Sequence, residues 1–193
     1  MYNAATPRLP QLRPRRMAGV SLIELMVVVA VVAILLGVGM SSYKSITVTS
    51  RVSGEINGLL GDMQYARSEA IKQGQNVVVC VSVNGTDCSV GNTQWNQGWI
   101  VFADPTNTRT TGGNAALVLR AQAAFPGATP DSLTDGATSN VSFDREGLAL
   151  GLGTGAVLAL HDPTTNTALT RCLAISNIGN VAVQQPSTLA TCT

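Results

Sequence analysis

Residues 19–40 read GVSLIELMVVVAVVAILLGVGM, and this stretch decides how the rest of the chain is interpreted. From Val20 to Met40 only Ser21 and Glu24 interrupt the apolar run. An α-helix rises about 1.5 Å per residue, so about 20 such residues cross the ~30 Å hydrocarbon core of a bilayer. The sequence therefore predicts one membrane-spanning helix.

The charges around this stretch predict its orientation. Four arginines and no acid precede it: Arg8, Arg13, Arg15 and Arg16. Basic residues stay on the cytoplasmic side, which places the C-terminal part of the chain across the membrane. Without residues 1–19 the chain keeps 8 of its 12 basic residues and all 11 acidic ones, a net charge of −3.

Two simpler interpretations of the stretch compete. A cleaved secretory signal would have a shorter apolar run followed by a small-x-small site, and Gly37-Val38-Gly39 matches such a site poorly. A plain membrane anchor fits the length but does not explain Glu24, because an unpaired acid deep in hydrocarbon costs about 2–3 kcal/mol. Glu24 is therefore a candidate functional residue that needs a partner.

The start of the run resembles the class III leader of type IV pilins and pseudopilins, through residues 19–25, GVSLIEL. The resemblance implies that a prepilin peptidase cuts between Gly19 and Val20 and methylates the new amino group of Val20. The family usually has Phe where this chain has Val20. The resemblance also supplies a partner for Glu24, the amino terminus of a neighbouring subunit in a filament, since pairing offsets the desolvation of both charges.

Beyond Met40, apolar residues recur every three or four positions, which predicts an amphipathic helix. The stripe consists of Ile56, Leu59, Leu60, Met63, Ala66 and Ala70. Gly74 is suited to cap the helix end, and no proline lies between Pro14 and Pro105. We therefore predict one helix from about Val20 to Gln73.

After Gly74 the chain consists of short β-branched runs separated by turns. The predicted strands are 76–83, 98–103, 116–124, 140–143, 156–161, 171–176 and 181–184. Asn84-Gly85 predicts a hairpin turn. The predicted fold class is α+β and pilin-like: a long N-terminal helical spine, transmembrane in its first half, packed on a C-terminal antiparallel β-sheet head. The predicted organisation is a cleaved leader (1–19), a filament-core helix (20–50) and a periplasmic head (51–193).

Four cysteines allow three disulfide pairings, and disulfides are the natural state outside the cytoplasm. We expect Cys80–Cys88, across the Asn84-Gly85 turn, and Cys172–Cys192, which ties the tail to the last strand pair. A zinc site is the alternative, but no C-x-x-C spacing is present and His161 is the single histidine. We therefore expect no metal.

A second resemblance is carried by the cysteines Cys80 and Cys88, the segment from Trp95 to Asp104 (WNQGWIVFAD), and residues 143–147 and 171–173. These residues resemble the head of the GspH/FimT/FimU group of minor pilins. Read from the residues alone, Trp99, Val101 and Phe102 fill a sheet core. We assign them structural roles.

The sequence offers little for catalysis, a cofactor or nucleic acid. His161 has no nucleophile suggested nearby, and residues 151–155 (GLGTG) lack the helix pattern of a dinucleotide site, so we expect neither an enzyme nor a cofactor. One branch of the resembled family binds DNA through a basic Gly-Arg-x-Arg segment. The matching residues 179–182 are uncharged here, and the basic residues Arg109, Arg120, Arg145 and Arg171 are scattered in sequence, so nucleic acid binding is not expected.

The expected function is that of a FimU-like minor type IV pilin, which primes or caps pilus assembly for twitching motility or adhesion. The alternatives are a type II secretion pseudopilin of the GspH type and a FimT-like DNA-uptake pilin. Expected partners are the prepilin peptidase, other minor pilins, the major pilin and the inner-membrane assembly platform. The expected location is the bacterial inner membrane, with the head in the periplasm, and then the pilus.

Overall fold

A computed structural model describes residues 19–108, 117–127, 131–164, 166–186 and 192; for residues 38–42, 44 and 45 it describes the backbone alone. The chain divides into two compact units between Tyr43 and Lys44. Residues 1–18 of the predicted leader, Arg109, and the first residue of the strand expected at 116–124 lie outside the described residues.

The long helix predicted from the sequence is present as α1, Leu22–Gln73. Ser21 precedes its first turn, and the Ser21 hydroxyl accepts a hydrogen bond from the Glu24 amide at 3.3 Å. This is the arrangement of an N-terminal cap, which satisfies one of the free amides of a helix start. At the other end Gly74 has a φ of +65°, the left-handed conformation that ends many helices.

The apolar first part of α1 presents its side chains to the surroundings. Every described side chain from Val20 to Gly37 is exposed, and the large apolar ones range from 47% for Val32 to 80% for Leu22. Within the described part of the chain, no helix combines the length and the apolar character needed to cross a membrane.

Nine strands are present among the described residues. They are β1 (Asn76–Val81), β2 (Gly98–Asp104), β3 (Val118–Ala123), β4 (Ser132–Thr134), β5 (Asn140–Phe143), β6 (Ala149–Leu150), β7 (Ala156–His161), β8 (Arg171–Ile175) and β9 (Val181–Gln184). They form a five-stranded sheet in the order β3-β2-β1-β5-β6 and a four-stranded sheet in the order β4-β7-β8-β9. All pairings are antiparallel, as predicted.

One face of α1 packs against both sheets in the second unit. The residues of this face that are buried are Val52, Ile56, Leu59, Met63, Ala66 and Ala70. The same core contains Val77 and Val79 of β1 and Leu158 and Leu160 of β7. The predicted stripe is therefore confirmed, except that Leu60 is half-buried and Val52 extends the stripe by one turn. The α+β fold class is confirmed.

The five-stranded sheet is covered on both faces, which explains why β1 and β2 read as continuous apolar runs. Val77, Val79 and Val81 face the helix, whereas Val78 and Cys80 belong to a second buried cluster with Ile100 and Phe102. Trp99 of β2 is 1% exposed, and its ring meets that of Phe125 edge-on at 6.0 Å. The structural roles expected for the residues of β2 are confirmed.

The hairpin predicted at Asn84-Gly85 is wrong. The chain turns there, but β1 has ended at Val81 and the next strand begins only at Gly98. The Asn84 side-chain oxygen accepts hydrogen bonds from the amides of Thr86 and Asp87 at 3.0 and 2.9 Å. A side chain that bonds the backbone in this way competes with a two-residue strand turn, so the segment closes as a loop.

Three short elements were not predicted: β4, β6 and the 3-10 turn Trp95–Gln97. Each has two or three residues, which is too short for periodicity to mark it. Gly98 directly follows that turn and has a φ of +105°, a backbone conformation that favours glycine. A Cβ atom there would lie 2.7 Å from the Gln122 carbonyl oxygen, so the position requires glycine.

We predict that Leu59→Ala destabilises the head. Leu59 is completely buried between α1 and the sheets, and truncating a buried leucine costs about 2–5 kcal/mol through lost burial and the remaining cavity. Urea unfolding of the full chain in mild detergent, followed by tryptophan fluorescence, measures the change. Asn57→Ala, on an exposed position of the same helix, is the control and should have a nearly unchanged midpoint. Equal midpoints for both variants would contradict the placement of the helix face.

Candidate functional site

The expected cleavage site lies immediately before α1. Gly19 and Val20 are exposed and precede the helix start, and Glu24 occupies its first turn. The Ser21-x-x-Glu24 spacing is that of a capping box, and an acid in the first turn interacts favourably with the helix dipole. Within the described part of the chain, the Glu24 carboxylate forms no ion pair. Cleavage, methylation and the role of Glu24 stay predictions.

Both expected cysteine pairs are adjacent in the head. The Cα atoms of Cys80 and Cys88 are 5.6 Å apart, and those of Cys172 and Cys192 are 6.1 Å apart. Both separations lie within the usual range for disulfides. The first pair closes the loop after β1, where the Ser89 amide also donates to the Val81 carbonyl at 2.8 Å. The second pair joins β8 to the chain end.

The sequence did not reveal a charged cluster between α1 and the loop before β4. Arg51 donates two hydrogen bonds to the Asp131 carboxylate, from Nε at 3.0 Å and from a terminal nitrogen at 2.6 Å. The Asp131 side chain is fully buried, whereas that of Arg51 is 42% exposed. Such bidentate pairs are strong and geometrically specific. They fix this part of α1 to the start of the four-stranded sheet.

Glu55, one helical turn after Arg51, lies in the same cluster. Its Oε2 atom is enclosed and has no hydrogen-bond partner among the described residues. Burial, together with the nearby Asp131 carboxylate, raises the pKa of Glu55 to about 8, although the charge of Arg51 lowers it. Glu55 therefore carries a proton at neutral pH in the folded protein.

Asp162 completes the cluster at the end of β7. Although its burial opposes ionisation, the pKa of Asp162 is lowered by hydrogen bonds and by the charge of Arg51. The donors are the Thr164 hydroxyl and the amides of Thr164 and Asn166. The hydrogen bond to Asp131 raises the pKa of Arg51. Among the described residues, no group of His, Cys, Asp and Glu side chains could hold a metal ion.

A second polar contact joins α1 to the five-stranded sheet. The Asp62 carboxylate accepts a hydrogen bond from Trp99 Nε1 at 2.9 Å and one from Arg120 at 3.0 Å. The Arg120 guanidinium also lies 3.7 Å from the centroid of the Tyr65 ring, a cation–π contact. Asp62 therefore provides the hydrogen-bond acceptor that the indole N–H of the buried Trp99 requires.

The described arginines that were considered for nucleic acid binding have local partners. Arg120 pairs with Asp62, and Arg145 pairs with Glu146 at 2.8 Å. Arg171 donates to the carbonyls of Ala168 and Thr170. Residues 179–182 include the end of the turn before β9 and the start of that strand, and Gly179 and Val181 are buried there. This turn offers no charge to a phosphate.

The remaining candidate residues are also in structural surroundings. His161 Nδ1 lies 3.2 Å from the Thr170 hydroxyl at the end of β7. The Asp144 carboxylate accepts the amides of Glu146 and Leu148, which shapes the turn between β5 and β6. Residues 151–155 form the loop from β6 to β7.

Comparisons with known proteins agree with this architecture. The family described as Type II transport protein GspH matches residues 55–179, and the Prokaryotic N-terminal methylation motif matches residues 14–40. Two crystal forms of the type IV minor pilin FimU from Pseudomonas aeruginosa are similar in fold. One is 22% identical with a TM-score of 0.53, and the match covers 75% of this chain and 92% of that chain. The other is 21% identical with a TM-score of 0.50, over 70% and 92% of the two chains. No curated protein matches the sequence.

We predict that Glu55→Gln stabilises the protein increasingly as the pH rises. An unfolded glutamate loses its proton near pH 4.3, whereas Glu55 in the folded protein keeps it up to about pH 8. The folded state therefore binds more protons between these values, and the free energy of unfolding falls as the pH increases. Glutamine stays neutral, so thermal unfolding midpoints of variant and wild type should diverge from pH 4.5 to 8.

Glu69→Gln is the matched control. Hydrogen bonds from Gln73 and Lys72 lower the pKa of Glu69, so its contribution to stability is present at neutral pH and lost on acidification. The control should therefore gain no stability at pH 8. A difference between Glu55→Gln and wild type that does not change with pH would contradict the raised pKa of Glu55.

We also predict linked peptides from the mature protein. Proteolysis without reduction, followed by mass spectrometry, should give peptides that join Cys80 to Cys88 and Cys172 to Cys192. Reduction should separate them with a mass gain of two hydrogens per pair. A peptide that joins Cys88 to Cys172, or free thiols at these positions, would contradict the pairing.

Proposed function

The chain belongs to the family described as Type II transport protein GspH, and on this basis we propose that it is a minor type IV pilin, a structural subunit that primes or caps pilus assembly. The observation that carries the proposal is the combination found at the start of α1. The N-terminal methylation motif covers residues 14–40, and in its helical part the side chains from Leu25 to Leu36 are apolar and exposed over several turns. Such a surface needs either lipid or other helices around it.

The proposed mechanism is assembly after processing. A prepilin peptidase cuts between Gly19 and Val20 and methylates the Val20 amino group. The helix then leaves the membrane and packs in a bundle of like helices. The Glu24 carboxylate pairs with the amino terminus of a neighbouring subunit, and this pair offsets the desolvation that each charge would suffer alone in an apolar bundle. Ser21 supports the arrangement, since its hydroxyl fixes the helix start beside Glu24.

The proposed organisation follows the sequence: leader 1–19, filament-core helix 20–50 and head 51–193. We place the subunit in the bacterial inner membrane as a single pass, with the head in the periplasm, before it enters the pilus. Its partners are then other minor pilins, the major pilin and the assembly platform. The apolar run from Val20 to Met40 and the basic residues before it support this orientation.

The role of the head is structural in this proposal. The cysteine pairs hold its loops, and the described candidates for catalysis or for binding nucleic acid all have local hydrogen-bond partners. We therefore propose presentation of surfaces to other subunits instead of catalysis or DNA uptake.

A pseudopilin of type II secretion is the second candidate, because the family description names that system. Both functions use the same leader and the same helix. Deleting the protein separates them. Loss of piliation and twitching with intact secretion supports the pilus, whereas intact twitching with collapsed secretion supports the pseudopilin.

We predict that purified pili contain a chain that begins with N-methyl-Val20. Mass spectrometry of sheared pili identifies this peptide by the mass of one added methyl group. Glu24→Ala should strongly reduce the amount of the chain in pili, because the amino terminus of the neighbour loses its counter-charge. Glu69→Ala, which removes a helix acid in the head, far from the amino terminus, is the control. Uncut precursor in piliated cells, or wild-type incorporation of Glu24→Ala, would refute the proposal.

A further inference from the structure

A groove with a volume of about 970 Å³ lies between the two sheets of the head. It is lined by Asn140 at the start of β5 and by β7 from Ala156 to His161, and we call it the edge groove. The loop 151–155 closes one side, and Thr138 and Ser139 line another. The groove therefore lies where an end of each sheet is open.

On the β7 side, the partner strand is too short. β8 pairs with β7 from Ala156 to Leu160, whereas β4 pairs only from Ala159 to His161. Ala156, Val157 and Leu158 thus have a neighbouring strand on one side only among the described residues. The pairing of β4 ends at Thr134, and no other described strand occupies the place that a longer β4 would take.

The hydrogen-bond pattern shows which peptide groups face that open place. The Ser176 amide donates to the Asn180 carbonyl at 2.9 Å, so the peptide N–H and C=O groups of Ser176 point towards β9. The peptide groups of successive residues point to opposite edges of a strand. Those of Ile175 and Leu173 therefore point towards β7, where these residues lie opposite Ala156 and Leu158. The N–H and C=O groups of Val157 therefore point away from β8, into the groove.

The same alternation of peptide groups shows which groups of β5 are open. The Val81 amide donates to the Ser139 carbonyl at 3.1 Å, and the Asp144 amide donates to the Leu148 carbonyl at 3.0 Å. The peptide N–H and C=O groups of Asn140 therefore point away from β1, towards the edge of β5 that pairs with β6. β6 reaches only Ser142 and Phe143, so the peptide groups of Asn140 also open into the groove.

The chemistry of the groove favours a peptide backbone over a charged ligand. The Asp135 carboxylate is occupied by the amides of Ala137 and Thr138, at 2.9 and 2.6 Å, and His161 faces Thr170. The open strand ends carry none of the charged or proline residues that natural edges use against strand addition. Unpaired donors and acceptors of two strand ends are matched by the alternating N–H and C=O groups of an extended chain.

We propose that the edge groove binds an extended, uncharged segment of a neighbouring pilin subunit, which pairs with Val157 as an added strand in the place that β4 leaves open. This inference rests on the proposed function, because the segment is supplied by a filament partner. About three residues of the added strand fit beside Ala156–Leu158, at about 3.3 Å per residue.

Photo-crosslinking of the full chain in piliated cells tests the proposal. Benzoylphenylalanine replaces Ala137, an exposed residue that lines the groove, or Val90, which is 78% exposed and lies outside the groove. We expect an adduct from position 137 whose mapped peptide is an uncharged segment of a pilin. Asn140→Lys, which places a charge at the open edge, should abolish this adduct, whereas Asn57→Lys on the helix surface should retain it.

Hydrogen exchange checks the backbone pairing and does not depend on a variant that folds. The Val157 amide should exchange rapidly in the full chain in detergent and become protected in pili. The Leu158 amide, which faces β8, should be protected in both. No protein adduct from position 137, an adduct with a carbohydrate, or rapid exchange of Val157 in pili overturns the inference. If N-methyl-Val20 is found in the same pili, the proposed function stands while the inference fails; if the chain is absent from pili, both fail.

Discussion

The burial of one face of α1 between two sheets is the contact on which the head depends. Neither sheet is attached to the other by a shared ladder, since the five-stranded and four-stranded sheets have separate strand orders. Their inner faces meet instead around Ile56, Leu59 and Met63, all with at most 1% exposure. Each fully buried aliphatic side chain contributes about 1.5–3 kcal/mol relative to an exposed one. The helix therefore organises both sheets.

The first part of the same helix has the opposite character. Its apolar side chains are exposed in the single chain, so the most hydrophobic segment of the sequence is not buried by the rest of the protein. Composition accounts for both parts: an apolar run that is uninterrupted from Leu25 to Met40 suits surroundings that are apolar on all sides, and a stripe suits a helix with one covered face. The proposed assembly with other helices rests on the exposed apolar first part of α1.

The sequence predicted the elements that are long or strongly periodic. The helix, its buried stripe and the apolar β1 and β2 follow from spacing and from β-branched residues. The short strands β4 and β6 could not be predicted, because two or three residues carry no periodicity. The cluster of Arg51, Glu55 and Asp131 was hidden for another reason: Asp131 is 80 positions away from Arg51 in the chain, and no local pattern links the two.

Two polar contacts attach α1 to the sheets separately. Arg51 bonds Asp131, which directly precedes β4 of the four-stranded sheet, and Asp62 bonds Trp99 of β2 in the five-stranded sheet. A mechanical load applied along this helix would thus be divided between two independent anchors, three turns apart. Both anchors and the apolar stripe would have to slide together before the head could detach. For a subunit in a fibre under traction, that geometry favours shear resistance over peeling one strand at a time.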